Sequence, residues 1–177
     1  IGIIVMAITL MPIMNVGGMQ LLKVSSSDAS EKILPKTKEI TVRIIIIYLV
    51  LTFLCAFFYK IFGMKFFDSL THSMTTIATG GFSNYNNSIG HFNNFNIEIT
   101  SMIFIILGSI PFIAYIKYLS GKKNIFYTDI QIKSFIKIIF FSILILFIYL
   151  TLFNKSFSTV SLRSISFNVI SILTGTG

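Results

Sequence analysis

Residues 75–83 read Thr-Thr-Ile-Ala-Thr-Gly-Gly-Phe-Ser, a run of small residues between two apolar runs of membrane-spanning length. Residues 171–177 read Ser-Ile-Leu-Thr-Gly-Thr-Gly and look like a second copy. A backbone that stops being helical at membrane depth is tolerated only where it is buried in protein or lines a water-filled cavity. Two such breaks in the same context predict a pore lined by peptide carbonyls.

The composition indicates a chain built for lipid. Hydrophobic residues make up 54% of the 177 residues and charged residues only 11%, whereas soluble domains carry about 25% charged residues. The formal charge of +8 does not indicate nucleic-acid binding, because Lys and Arg stand in short blocks between apolar runs. The single Cys55 predicts a buried thiol and no disulfide framework. No His or Cys spacing predicts a transition-metal site, and we expect no cofactor.

Four apolar runs are long enough, with snorkelling ends, to cross a bilayer. They are residues 1–22, 44–59, 99–116 and 138–154. The last three contain no charged residue, which argues against a membrane enzyme, since its chemistry would need ionisable groups within the spans. Pro111 is expected to bend the third run. Polar loops are expected at residues 23–43 and 119–137.

Two segments with a mixed apolar and polar composition precede the breaks. Residues 66–78 are too short and too polar to cross a bilayer and predict a re-entrant half-helix, and residues 156–173 repeat that pattern. Asp68 is expected to cap the first half-helix together with the following serine. His72 is expected to be packed and hydrogen-bonded. The Asn-rich stretch 84–96 is expected to be a solvent-exposed loop.

The distribution of the basic residues predicts how these segments are oriented across the membrane. Ten of the fourteen flank the two polar loops. The positive-inside tendency therefore predicts that these loops are cytoplasmic and that both half-helices lie on the outer side of the membrane. Four spans alternate consistently with this orientation, so the sequence predicts a multi-pass protein of the inner membrane.

The two breaks align when Gly81 is placed on Gly177, at an offset of 96 residues. The repeated unit is then helix, short half-helix, small-residue break and helix. A half-helix directs the negative end of its dipole at its C-terminus, which suits a cation. Carbonyl and threonine oxygens can replace the water shell of a monovalent ion without a formal charge on the protein. An ordinary turn is the alternative for either break taken alone.

At these residues the chain resembles the membrane subunit of the Trk/Ktr/HKT superfamily of potassium transporters, of the bacterial TrkH type. The resemblance rests on residues 15–22, on residues 72–83 with the following 88–92, and on residues 171–177. The middle stretch is the most specific. It reads His-Ser-Met-Thr-Thr-Ile-Ala-Thr-Gly-Gly-Phe-Ser.

The resemblance implies an all-α membrane protein made of helix–pore-helix–helix repeats with re-entrant filter loops. By this resemblance, residues 1–22 are the last helix of a first repeat, residues 44–118 a complete second repeat, and residues 138–177 a third repeat up to its filter. The second repeat would hold a pore helix at 66–78 and a filter at 78–83. K⁺ would bind the filter carbonyls of Ile77, Ala78, Thr79, Gly80, Gly81, Thr174, Gly175, Thr176 and Gly177.

The implied partners are membrane lipid, a second identical membrane subunit and a cytosolic, nucleotide-binding regulatory subunit. The chain begins with Ile and ends on a glycine after an apolar segment, so we expect part of a longer K⁺ uptake protein that is not an enzyme. The alternative is a non-transporting polytopic assembly subunit whose glycine breaks serve only helix packing. In that case a substitution at Gly81 would lower the amount of protein without altering ion preference.

Overall fold

The computed structural model describes residues 30–121, 124–154 and 159–176, so the predicted span 1–22 lies outside the described residues. The chain divides into two compact units, Ile1–Leu49 and Val50–Gly177. The described part of the first unit is helical, and both breaks belong to the second unit. No strand occurs in the described ranges, which confirms the all-α fold class.

Seven α-helices and one 3₁₀ helix make up the described chain. They are α1 (Ser30–Ile61), α2 (Phe66–Ile77), the 3₁₀ helix (Ser88–Phe92), α3 (Phe95–Ser109), α4 (Phe112–Leu119), α5 (Ile125–Thr128), α6 (Ile130–Asn154) and α7 (Thr159–Thr174). Helix α2 coincides with the predicted half-helix at 66–78, and α7 with most of the segment at 156–173.

Two helical segments, Val42–Ile61 and Ile130–Leu152, are long and apolar enough to cross a membrane. Helices α3 and α4, with 15 and 8 residues, are each too short to span and would form a third span only as a pair, which is bent by 82°. The expected bend at Pro111 is therefore confirmed, and it interrupts the helix. Ile110 adopts extended backbone angles, as expected for a residue that precedes proline.

Both predicted polar loops are wrong in part. Helix α1 begins at Ser30, inside the segment 23–43, and α6 begins at Ile130, inside 119–137. Lys, Glu and Gln are good helix formers outside a bilayer. The change in hydropathy therefore marks where each apolar segment begins, whereas the helix that contains it begins several residues earlier.

The Asn-rich stretch 84–96 is mostly exposed, as expected, but it is not wholly irregular. It contains the 3₁₀ helix, whose Ile89 is buried. Asn94 caps α3, since its side-chain oxygen accepts from the N–H of Asn96 at 2.9 Å. The Asn94 amide nitrogen donates to the carbonyl oxygen of Phe62 at 2.9 Å, which attaches the stretch to the end of α1.

Helix α3 is the central element of the second unit. It packs against α2, the 3₁₀ helix and α7, and α7 also packs against α6. Ile105 of α3, Ile139 of α6 and Ile170 of α7 form one buried cluster. The ends of α2 and α7 are therefore positioned by the same helix.

An ion pair also joins α3 to α7. The guanidinium of Arg163 donates from Nη2 to Glu98 Oε1 at 2.7 Å and lies 2.6 Å from Oε2 through Nε. The two side chains are only 26% and 12% exposed, respectively. A planar guanidinium that meets both oxygens of a carboxylate fixes their relative orientation. Nothing in the sequence indicates that Arg163 and Glu98 are partners.

We expect Arg163→Ala to lower the free energy of unfolding by about 2 kcal/mol or more, because it leaves the Glu98 carboxylate largely buried without its partner. Unfolding of the detergent-solubilised protein measures this loss. Lys133→Ala removes an exposed charge and serves as the control. Equal losses in the two variants would contradict a structural role for the ion pair.

Candidate functional site

Helix α2 ends in a Schellman motif. The N–H of Gly80 donates to the carbonyl oxygen of Thr75 at 2.8 Å, and the N–H of Thr79 donates to that of Thr76 at 3.1 Å. Thr79 takes the left-handed conformation, with φ of 50°. These two bonds satisfy carbonyls that the end of a helix leaves without intrahelical partners.

Helix α7 ends with the same backbone geometry. The N–H of Thr176 donates to the carbonyl oxygen of Ser171 at 2.8 Å, and the N–H of Gly175 donates to that of Ile172 at 3.1 Å. Gly175 is left-handed, with φ of 72°. The two motifs are 96 residues apart, the offset at which the two breaks align in the sequence.

The two breaks differ in the residue at the left-handed position. The second break has Gly175 there, whereas the first has Thr79, whose Cβ makes this conformation unfavourable by about 1–2 kcal/mol. Gly81 is left-handed as well, with φ of 66°. Gly80 is not, and a Cβ there would make only an ordinary contact, 3.4 Å from the ring of Phe82.

The threonine hydroxyls of both breaks donate to protein acceptors. Thr79 Oγ1 donates to the carbonyl oxygen of Ala78 at 2.8 Å. Thr174 Oγ1 donates to the carbonyl oxygen of Ile170 at 2.8 Å. A hydroxyl carries one hydrogen, so Thr176 Oγ1 must be the donor in its 2.7 Å contact with Thr174 Oγ1.

Several backbone carbonyls of the breaks are left without a hydrogen bond. Among the described residues, nothing donates to the carbonyl oxygens of Thr79, Gly80 and Gly81, or to those of Gly175 and Thr176. Successive unpaired carbonyl oxygens are the groups that can replace the hydration shell of a cation. In the first break, five consecutive residues, 79–83, have carbonyl oxygens to which no described residue donates.

Both breaks contribute to one small cavity of about 20 Å³, enough for a single water molecule. Gly81 lines it from the first break and Thr176 from the second, and Ser101 of α3 contributes to its wall. Other predicted site residues do not line it, namely Ile77, Ala78, Thr79, Gly80, Thr174 and Gly175. Gly177 lies outside the described residues.

A closed network of hydrogen bonds ties the segment after the first break to α2. His72, which is 2% exposed, donates from Nδ1 to the carbonyl oxygen of Asp68 at 2.8 Å and accepts at Nε2 from the hydroxyl of Ser83 at 2.9 Å. A carbonyl can only accept, so Nδ1 carries a proton, and in the neutral tautomer Nε2 is then the acceptor for the Ser83 hydroxyl. Ser83 Oγ accepts from the N–H of Tyr85, whose hydroxyl donates to Asp68 Oδ2 at 3.0 Å. Residues 73–82, which include the first break, are therefore bracketed by this network, hereafter the His72 network.

The His72 network confirms the expectation that His72 is packed and hydrogen-bonded, but the expected cap by Asp68 and Ser69 is wrong. Helix α2 has Lys65 at its N-cap without a side-chain cap bond, and the Asp68 carboxylate binds Tyr85 instead. The Ser69 hydroxyl donates to the carbonyl oxygen of Phe66. The hydrogen bond to Asp68 raises the pKa of Tyr85, so the phenol remains protonated and donating at neutral pH.

Among the described residues, no group of three or more His, Cys, Asp or Glu side chains is arranged to hold a metal ion. Cys55 is a free, buried thiol, as expected. The chemistry available at the two breaks is thus that of backbone and hydroxyl oxygens.

A family model described as TrkH, cation transport protein, matches residues 1–174 of the chain. The Trk system potassium uptake protein TrkI of Halomonas elongata is 36% identical over 181 residues, which cover 100% of this chain and 36% of that protein. The Trk system potassium uptake protein TrkH of Escherichia coli K12 is 32% identical over 180 residues, which cover 99% of this chain and 37% of that protein. The chain thus spans little more than a third of the length of these relatives.

We expect Gly175→Ala to lower the free energy of unfolding by about 1 kcal/mol, because an added Cβ disfavours the left-handed conformation. The space around this position is open, with no atom within 4 Å of the added Cβ, so the loss is conformational. Gly90→Ala is the matched control, since Gly90 is equally open and has no positive φ. Unfolding in detergent compares the two variants, and equal stability would contradict the assignment.

We expect Ser83→Ala to loosen residues 79–85, because it leaves the buried Nε2 of His72 without a donor, at a cost of about 1–3 kcal/mol. Hydrogen exchange read by mass spectrometry should show faster exchange in this segment. Ser83→Thr keeps the hydroxyl and should restore protection, and Asn87→Ala changes an exposed side chain of the same loop. Unchanged exchange in Ser83→Ala would show that the His72 network does not hold the segment.

Proposed function

The chain belongs to the TrkH family of cation transport proteins, and on that basis we propose that it forms part of the ion path of a K⁺ uptake protein. The family is one of transporters rather than enzymes. Potassium uptake is what the printed names of the relatives state of those proteins. The proposal extends that activity to the longer protein to which this chain would contribute.

The proposed ligands of K⁺ in the first break are the carbonyl oxygens of Thr79, Gly80 and Gly81. They are consecutive and accept no hydrogen bond from the described residues, which supports this assignment. Thr79 and Gly81 adopt left-handed conformations, and Gly80 between them does not. Ile77 and Ala78 would form the base of the filter, next to the end of α2.

The second break would contribute equivalent oxygens from residues 174–177. The observation that carries the proposal is the pair of matched Schellman motifs, whose breaks line one cavity through Gly81 and Thr176. Schellman motifs end many helices, so what distinguishes this pair is that both breaks also line the same cavity. The C-termini of α2 and α7 would also direct the negative ends of their dipoles at the ion.

In this proposal, residues 44–118 and 138–177 are one complete and one partial helix–pore-helix–helix repeat, with re-entrant filter loops. The protein would be a multi-pass protein of the inner membrane, with residues 1–22 as the last helix of a preceding repeat. By the resemblance, it would work with a second identical membrane subunit and a cytosolic, nucleotide-binding regulatory subunit. Other segments of the longer protein would complete the pore.

We expect Gly81→Val to lower the preference for K⁺ over Na⁺ by about tenfold, because a β-branched residue at a φ of 66° costs roughly 1–2 kcal/mol and would shift the carbonyls. The variant is made in a transporter that carries this sequence as its filter-bearing segment. Fluxes of ⁴²K⁺ and ²²Na⁺ into proteoliposomes give the ratio.

Gly90→Val is the control, since Gly90 is open and lies nine positions further along the chain. It should leave the ratio unchanged. A Gly81→Val protein that is present in smaller amount but retains the normal ratio would support the assembly-subunit alternative, in which the break serves packing alone. A ratio shifted equally in both variants would also contradict the filter role.

A further inference from the structure

Helix α3 contains Gly108, and this residue touches the backbone at the end of α2. A Cβ added at Gly108 would lie 2.7 Å from the carbonyl oxygen of Ile77 and 3.3 Å from both its carbonyl carbon and its Cα. The approach is closer than packed atoms tolerate, so only glycine fits between the two backbones. We propose that Gly108 is a positioning residue for the ion path, which sets where the first break begins. This inference rests on the filter proposed above.

The contact involves atoms that are difficult to displace. The nearest atom is a backbone oxygen rather than the end of a flexible side chain, and Ile77 is only 1% exposed. The preceding residue is also held, since Thr76 Oγ1 shares a buried hydrogen bond of 2.9 Å with the hydroxyl of Tyr59 on α1. The end of α2 is therefore fixed between α1 on one side and Gly108 on the other.

The contact matters because it lies at the end of α2, next to the proposed K⁺ ligands. Ile77 is the last residue of α2, and Thr79, the first of the three proposed ligands, follows two residues later. The Schellman motif connects them, because its hydrogen bonds return from Thr79 and Gly80 to the last turn of α2. A displacement of the Ile77 peptide is thus transmitted to the proposed ligands, since no flexible segment separates them.

A methyl group at Gly108 would require the Ile77 carbonyl to retreat by several tenths of an ångström. Closely packed interiors respond to added volume through backbone shifts, not only through side-chain rotation. A carbonyl-lined site discriminates ions through the arrangement of its oxygens. Gly108 should therefore influence ion preference, although it contributes no ligand.

The test is Gly108→Ala in a transporter that carries this sequence, with Gly90→Ala as the matched control at a glycine with open surroundings. The K⁺ to Na⁺ flux ratio in proteoliposomes is measured together with the amount of protein in the membrane. We expect the ratio of Gly108→Ala to fall about threefold or more through the shift of the packed backbone. That of Gly90→Ala should stay unchanged.

A second variant covers the case in which Gly108→Ala does not accumulate. Tyr59→Phe combined with Gly108→Ala removes the hydrogen bond to Thr76 and lets the end of α2 retreat from the methyl group. We expect this double variant to recover protein while the flux ratio stays low, and Tyr59→Phe alone serves as its reference. A ratio equal to that of the reference would overturn the inference.

The outcomes separate this inference from the filter proposal on which it rests. If Gly81→Val shifts the ratio and Gly108→Ala does not, the filter role stands and Gly108 serves only helix packing. If neither variant shifts the ratio, both the filter and the positioning role are wrong. A Gly108→Ala effect on protein amount alone, with a normal ratio, also contradicts the inference.

Discussion

A helix that ends among buried groups leaves its last carbonyl oxygens without intrahelical partners, and the second unit of this chain contains two such ends. At both, a Schellman motif satisfies some carbonyls and leaves the following ones without a donor within the described part of the chain. Thr79, Gly80 and Gly81 are half-buried and Gly175 is exposed, so their carbonyls remain open to water or to a bound ion. The remainder of the unit holds these two helix ends in place, and the proposed function is a reason for leaving the oxygens unpaired.

The supports of the first break come from three directions. Helix α3 contacts it at Gly108, α1 holds it through Tyr59, and the His72 network secures the segment that follows it. The Glu98–Arg163 ion pair then joins α3 to α7, which carries the second break. Each support acts on backbone or on a buried side chain. The break itself consists mostly of small residues, so its conformation depends on these neighbours.

The breaks and the short helices before them could be predicted from the sequence, because small residues and glycines interrupt an apolar pattern locally. The N-terminal ends of α1 and α6 could not, since hydropathy reports burial in lipid and not helical conformation in water. The partners of Asp68 and Glu98 were also missed. Tyr85 and Arg163 are 17 and 65 residues away from them, and a single sequence gives no indication of pairing at such separations. In the sequence, Gly108 is one small residue in an apolar run, and its contact with the Ile77 backbone is visible only in the structure.

The residues at the left-handed positions give the two breaks unequal stiffness. Thr79 keeps a conformation that its Cβ disfavours, with its hydroxyl bound to the preceding carbonyl, so it depends on its neighbours to hold it. Gly175 has neither restriction and is surrounded by open space. An ion bound between the two breaks would then contact one segment that is held by its neighbours, at Thr79, and one that can adjust to the ionic radius, at Gly175. Because the two breaks differ in backbone freedom, the coordination shell of the ion would be asymmetric even though the two turns share a backbone geometry.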